Sequence, residues 1–188
     1  PYMRGRMDNV RSYASPVEIG EAMEGECIGE IIVSKNERFA VSELVIGKFG
    51  WVSHAISNGL GLRKLKRTNI PEQTALGVLG MPGHTAWTGL NKIANAKKEE
   101  TIVISAASGA VGSLAGQLAK KKGLKVIGIA GNDQKCSYVV NELGFDGCIN
   151  HNNVTNTKEF SNLIKSYCPN GVDIYFENVA GKTLEAII

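Results

Sequence analysis

The hydrophobic pattern of the chain changes character near residue 80. Before it, short apolar runs alternate with turn signals: "ECIGEIIVS", "FAVSELVIGKFGWVSHAIS" and "NGLGLRKL". Close spacing with Val and Ile enrichment predicts the short strands of a β-rich unit. The period then changes in "NIPEQTALGVLGMPGHTAWTGLNKIANA". Residues 71–79 fit a short helix, Met81-Pro82-Gly83 is expected to break it, and residues 84–95 fit a second one.

From Thr101 the pattern becomes regular. "TIVIS" is a continuous apolar strand, and residues 110–122 follow with helical periodicity. Val111, Leu114, Ala115, Leu118 and Ala119 share one face, and Gly123 is the expected stop. "KVIGIA" is the next strand, residues 134–143 the next helix, and Gly144 its end. "GCIN", a helix over 156–167 and the strand "VDIYFEN" complete the alternation. Strands alternating with helices of this length predict right-handed βαβ units and a parallel sheet. The expected organisation is α/β, with a β-rich domain over 1–80 and a Rossmann-type domain over 81–188.

Composition narrows the function classes. The 188 residues are enough for a sizeable core and one or two domains, with 43% hydrophobic and 21% charged residues. A net charge of +3 does not argue for nucleic acid. The densest basic run, Arg63-Lys64-Leu65-Lys66-Arg67, lacks interleaved aromatics and reads as a solvated, strand-flanking segment. No apolar run reaches the roughly 18–20 residues of a membrane span, and the opening residues do not read as a signal peptide. Cys27, Cys136, Cys148 and Cys168 are dispersed, which fits a reducing, cytoplasmic setting rather than a disulfide framework. His54, His84 and His151 show no metal-ligand spacing with them, so no metal site is expected. The chain begins at Pro1 and ends on "GKTLEAII", which reads as a helix just opening; a piece of a longer protein is expected.

The first chemical signal follows "TIVIS". Ala107-Ser108-Gly109-Ala110-Val111-Gly112 is A-x-G-x-x-G, a dinucleotide fingerprint with Ala in the first glycine slot. Gly109 lets the backbone approach a pyrophosphate, and Gly112 lets the helix pack tightly on the strand. The N–H groups of the helix start, at the positive end of its dipole, then face the phosphates. Glycines also serve close packing without any ligand. Here a strand precedes, a helix follows and the βαβ unit is complete, which is the context the motif needs.

The second signal is a missing acid. An NAD site places a carboxylate about 20 residues on, at the end of the second strand, to bind the ribose 2′-OH. This strand ends in Ala130-Gly131-Asn132. Gly131 leaves room, and nothing there repels a phosphate. Lys135, four residues past Gly131, can pair with a 2′-phosphate as a point charge. The expected cofactor is therefore NADP(H). Lys135 as an ordinary solvated lysine is the alternative, and Asp133 turned towards the ribose would blur the preference.

The runs "AASGAVGSLAGQLAKKKG", "GIAGNDQKC", "ELGFD" and "FENVAG" resemble the zinc-independent medium-chain reductases, in the branch of NADPH-dependent 2-alkenal, curcumin and 15-oxoprostaglandin reductases. "PYMRGRM", "VEIGEAMEG" and "LGVLGMPGHTAWTGL" resemble the same branch, so the likeness covers essentially the whole chain. It implies a GroES-like substrate domain, here lacking its opening, and a Rossmann domain lacking its last strands. It also implies homodimers joined through the Rossmann sheets. Zinc-dependent relatives have a His-Glu pair near Gly25-Glu26, and Gly25 has no side chain to bind metal.

The resemblance implies reduction of a carbon–carbon double bond conjugated to a ketone or aldehyde carbonyl. Hydride from NADPH goes to the β-carbon, charge moves to the carbonyl oxygen as an enolate, and a proton reaches the α-carbon. Tyr2 and Tyr13 match cleft tyrosines that could donate to the enolate or relay a proton; both could equally be half-buried aromatics. Met81 and Thr85 match positions near the nicotinamide. Asn178 matches a cofactor-contacting Asn, with a turn-forming role ahead of Gly181 as its alternative. His151 stands where many members carry a Tyr that reaches the adenosine phosphate. Quinone reduction on the same scaffold, or nucleotide binding without catalysis, are the competing functions.

Overall fold

A computed structural model describes residues 2–9, 11 and 14–188. The chain divides into two compact units, Pro1–Leu76 and Gly77–Ile188. The first opens on a 3-10 helix, Tyr2–Arg6. Its sheet is antiparallel, in the order β1 (Cys27–Glu30), β2 (Leu44–Gly47), β3 (Arg63–Leu65). The central strand β2 is buried along its whole length, because "LVIG" offers no polar side chain to either face. The first three residues of the basic run form β3, and Lys66 and Arg67 flank it. Lys64 pairs with Glu43 at 2.7 Å and Arg67 with Glu30 at 2.6 Å, so part of its charge is answered within the sheet. The helix expected over 71–79 is a 3-10 turn, Glu72–Leu76.

The second unit starts with α1 (Met81–Thr88), which runs into a single π turn, Gly89–Ile93. Met81-Pro82-Gly83 does not break a helix; it begins one. Proline is tolerated in a first turn, where its missing N–H has no intrahelical partner to lose. Gly83 is needed there for closeness: a Cβ on it would lie 1.8 Å from the Val78 carbonyl oxygen.

A regular alternation follows: β4 (Thr101–Ile104), α2 (Ala110–Lys121), β5 (Lys125–Ala130), α3 (Asp133–Asn141), β6 (Gly147–Asn150), α4 (Thr157–Tyr167), β7 (Ile174–Phe176) and a short α5 (Lys182–Glu185). All four strands are parallel, in the order β6-β5-β4-β7. The strands are apolar on both sides, and their period of two sorts them into two cores. Ile102, Ile104 and Val126 pack with Ala86, Leu90, Ala115 and Ala119 on one face. Val103, Ile127, Ile129 and Ile149 pack with Phe160 and Ile164 of α4 on the other. The sheet is thus covered by helices on both faces.

The strand expected from "VDIYFEN" is only three residues long. Its flanking acids add side-chain bonds to β4 and to Ser105 just beyond it. Asp173 Oδ2 accepts from the Thr101 N–H at 2.8 Å, and Glu177 Oε1 accepts from the Ser105 hydroxyl at 2.7 Å. The chain runs outward from β4 to β5 and β6, then returns past β4 to β7. The order therefore reverses between β4 and β7. In open α/β sheets the crevice beyond the strand ends at such a reversal is where ligands bind.

Candidate functional site

The carboxyl end of β4 leads straight into the glycine turn. Ala107 is fully buried, and its N–H donates to the Ile129 carbonyl at 2.9 Å, which fastens the turn to β5. Ala106 takes a positive φ of 46°, and its carbonyl accepts from the Gly109 N–H at 2.8 Å. A Cβ on Gly112 would lie 2.4 Å from that same carbonyl oxygen. Gly112 is therefore required by the packing of α2 on the turn. Ser108 and Gly109 are half-buried and Ala110 is exposed, while Val111 packs against the core beneath. Gly109 occupies the N-cap position, no side chain caps α2, and its first turn carries no acid. The opening N–H groups of a helix have no intrahelical acceptor. Together with the dipole they make the α2 start suited to an anion.

At the end of β5, Ala130 is buried and Gly131 faces β6: a Cβ on Gly131 would lie 3.5 Å from His151 Nε2. Sequence positions 131 and 151 are thus brought together, with His151 exposed in a 3-10 turn, His151–Asn153. Asn132, two residues past the end of β5, caps α3, its Oδ1 accepting from the Lys135 N–H at 2.8 Å. Lys135 is exposed in the first turn of α3. The Asp133 carboxylate accepts from Asn150 Nδ2 at 2.6 Å and from Asn153 Nδ2 at 3.3 Å.

Across the reversal, Asn178 is tied to β4 twice. Its backbone N–H donates to Ser105 Oγ at 2.7 Å, and its Nδ2 donates to the Ser105 carbonyl at 2.9 Å. The carbonyl acceptor fixes the amide orientation, so Asn178 turns its Oδ1 away from Ser105. Sequence reasoning missed Ser105 and Glu177, which hold this corner. Ser105 is wholly buried. Glu177 Oε1 accepts from the Ser105 hydroxyl, from the Val179 N–H and, at 2.9 Å, from the Ala180 N–H. Burial pushes the Glu177 carboxyl up, but the neighbouring Tyr175 phenol and these donors outweigh it and hold it at about 2. The Tyr175 hydroxyl itself forms no well-aligned hydrogen bond, and burial, with Glu177 beside it, pushes it to about 12. The signal available in sequence was a hydroxyl and an acid at the ends of two apolar strands.

Thr85, with Thr88, Gly89, Ile93, His84 and Phe176, lines an open depression beside the end of β7. The Thr85 hydroxyl donates to the Met81 carbonyl at 2.8 Å, and Met81 is exposed at the start of α1. Tyr13 lies outside the described residues, and of Tyr2 only the backbone belongs to them. All four cysteines are free thiols, yet Cys136 and Cys148 meet at 2.8 Å, a contact their spacing did not reveal. Among the described residues no three His, Cys, Asp or Glu side chains converge to hold a metal ion. A Cβ on Gly25 would come within 3.1 Å of Trp51 Nε1. No helix among the described residues is long and apolar enough to cross a membrane.

Two family models match the chain. One, described as the N-terminal domain of oxidoreductase, covers residues 1–65; the other, described as zinc-binding dehydrogenase, covers residues 110–188. Both units of the chain are thus similar to oxidoreductases of the dehydrogenase type. It is 42% identical over 188 residues to an NADPH-dependent curcumin reductase of Escherichia coli, covering 100% of this chain and 53% of that protein. It is 41% identical to prostaglandin reductase 1 of Rattus norvegicus, covering 100% of this chain and 55% of the relative. Among solved structures, CurA from Vibrio vulnificus in complex with NADPH superimposes with a TM-score of 0.88 at 45% identity, over 99% of this chain and 54% of that one. The chain thus spans about half the length of the relatives it matches. The zinc in the second family model's description finds no fitting ligand set among the described residues.

Proposed function

We propose that the protein is an NADPH-dependent reductase of carbon–carbon double bonds conjugated to a ketone or aldehyde. The observation that carries this reading is the pairing of an uncapped, acid-free start of α2 with an acid-free end of β5, where Lys135 stands exposed. The names of the relatives, a curcumin reductase and a prostaglandin reductase, supply the substrate class.

In this reading residues 1–80 serve the substrate and 81–188 the cofactor. Gly109, Ala110, Val111 and Gly112 present backbone N–H groups to the pyrophosphate, with the Ser108 hydroxyl beside them. Gly131 makes room for the adenosine ribose, and Lys135 with His151 takes its 2′-phosphate. Met81 and Thr85 border the nicotinamide, and Asn178 offers Oδ1 as an acceptor there. When bound, NADPH supplies the hydride. Tyr2 and Tyr13 stabilise charge on the substrate oxygen or return the proton. A homodimer in the cytoplasm goes with this assignment.

The test is oxidation of NADPH and of NADH by the longest expressible form of the protein, with a 2-alkenal and with a quinone. NADPH-selective turnover of the alkenal is expected, and Tyr2→Phe and Tyr13→Phe should cut turnover while NADPH still binds. Turnover of quinones alone would reassign the substrate. Binding of NADPH with no turnover on either would make the protein a non-catalytic binder.

A further inference from the structure

The first turn of α3 carries two opposite charges three residues from its N-cap or nearer, and the structure treats them differently. Lys135 is exposed, and among the described residues its ammonium has no partner. Asp133 is pinned. Asn150, the last residue of β6, donates to its Oδ1 at 2.6 Å, and Asn153 adds a longer bond to the same atom at 3.3 Å. Asn150 is itself held, because its Oδ1 accepts from the Asn152 N–H at 3.1 Å. Asn152 in turn donates its Nδ2 to the Gly131 carbonyl at 2.7 Å. Three asparagines of the β6 end thus lock the loop that follows β5.

This matters because an acid at the end of the second strand is what favours a free ribose 2′-OH, and a negative charge there disfavours a 2′-phosphate. Asp133 lies three residues past the end of β5, in the first turn of α3, where its carboxylate would serve as a substitute if it turned towards the ribose. We propose that Asn150 is a specificity-determining residue: by clamping the Asp133 carboxylate it keeps the adenosine end of the site open to a 2′-phosphate. The proposal rests on the NADPH reading above. Asn150 acts through Asp133 and is a positioning residue, not a contact of the cofactor.

The experiment is a titration of the chain with NADPH and with NADH, taking the ratio of their affinities as the readout. A merely structural loss would weaken both and leave the ratio alone. Asn150→Leu removes the shorter of the two bonds that hold Asp133, without adding charge, and leaves only the 3.3 Å bond from Asn153. It should lower the NADPH-to-NADH affinity ratio by about tenfold, the size expected of one unit charge brought near a phosphate at a partly screened surface. Asp133→Asn in the same background removes the released carboxylate and should restore the ratio. Asn150→Ser guards against loss of fold, since its short hydroxyl keeps an acceptor near the Asn152 N–H but does not reach Asp133; it should lower the ratio in the same direction. An NADPH preference that survives Asn150→Leu and Asn150→Ser overturns the clamp and leaves the NADPH reading standing. A lowered ratio that Asp133→Asn does not restore also overturns it. A wild-type chain with no preference for NADPH overturns both.

Discussion

Helices α2 and α3 begin beyond the carboxyl ends of neighbouring parallel strands, and they begin in opposite ways. The start of α3 is self-sufficient. Asn132 caps it, Asp133 complements its dipole, and the chain gains what a capped, acid-bearing first turn ordinarily provides. α4 starts in the same manner, with Asn156 as cap and Glu159 in its first turn. The start of α2 has neither a capping side chain nor an acid. Helix stability alone would favour the α3 pattern at both places. The difference teaches that α2 leaves its positive end uncompensated within the protein, while α3 spends its own and acts through side chains.

The sharpest way to break this comparison is to make α2 begin like α3. Ala110→Asp places an acid in an exposed first turn. The dipole interaction should raise stability by about 0.3–1 kcal/mol, seen as a small rise in Tm. The same charge should lower NADPH affinity by at least about tenfold, because it stands where the pyrophosphate must lie. A stabilised variant that binds NADPH as well as the wild type would remove α2 from the site.

Lys135→Ala tests the other helix through its side chain. Loss of one charge-assisted contact of about 1.5–3 kcal/mol should weaken NADPH roughly 10- to 150-fold. NADH, which lacks the 2′-phosphate, should bind almost as before. Equal loss of both cofactors in the titration would show that α3 supports the fold rather than reads the phosphate.

Acid should sharpen the contrast in a third way. The α2 turn has no side-chain cap, but the end of β4 just before it is held through Ser105 by Glu177. The Glu177 carboxyl is held at about 2 in the folded chain against an ordinary 4.5. A carboxyl lowered by folding contributes stability that is fully present above its unfolded value and is lost as pH falls through the folded one. Thermal melts should therefore show a contribution from Glu177 that fades between about pH 4.5 and 2. Glu177→Gln should flatten that part of the profile, and an unchanged profile would mean the charge does not hold this corner.

Much of this contrast was legible in the sequence, and the reasons are local. Continuous apolar runs gave β4 and β5, helical periodicity gave α2, and Gly123 at φ +84° ended it as expected. The glycine turn could be placed because strand, turn and helix are contiguous in the chain. The long-range ties could not. Ser105 meets Glu177 across 72 residues, and Asn150 reaches Asp133 across 17. No periodicity marks such pairs, since each depends on which strands become neighbours. Met81-Pro82-Gly83 misled for a different reason. Pro and Gly punctuate helices, but Pro is also at home in a first turn, and the Val78 carbonyl against Gly83 decides between the two. The meeting of Cys136 and Cys148 belongs with the long-range ties, as it needs α3 laid against β6.

The smallest effect separates capping from binding on α3 itself. Asn132→Ala removes the acceptor for the Lys135 N–H and should cost about 1 kcal/mol, read from urea denaturation of the chain. A cap is a property of the helix end, so the loss should appear in stability and hardly in the preference for NADPH over NADH. The Asp133 clamp would remain, since Asn150 and Asn153 approach from the β6 side and do not depend on Asn132. If Asn132→Ala instead erases the NADPH preference while stability holds, then the Asn132 side chain reads the ribose directly. The asymmetry between α2 and α3 would then lie in a side-chain contact rather than in how each helix satisfies its own N–H groups.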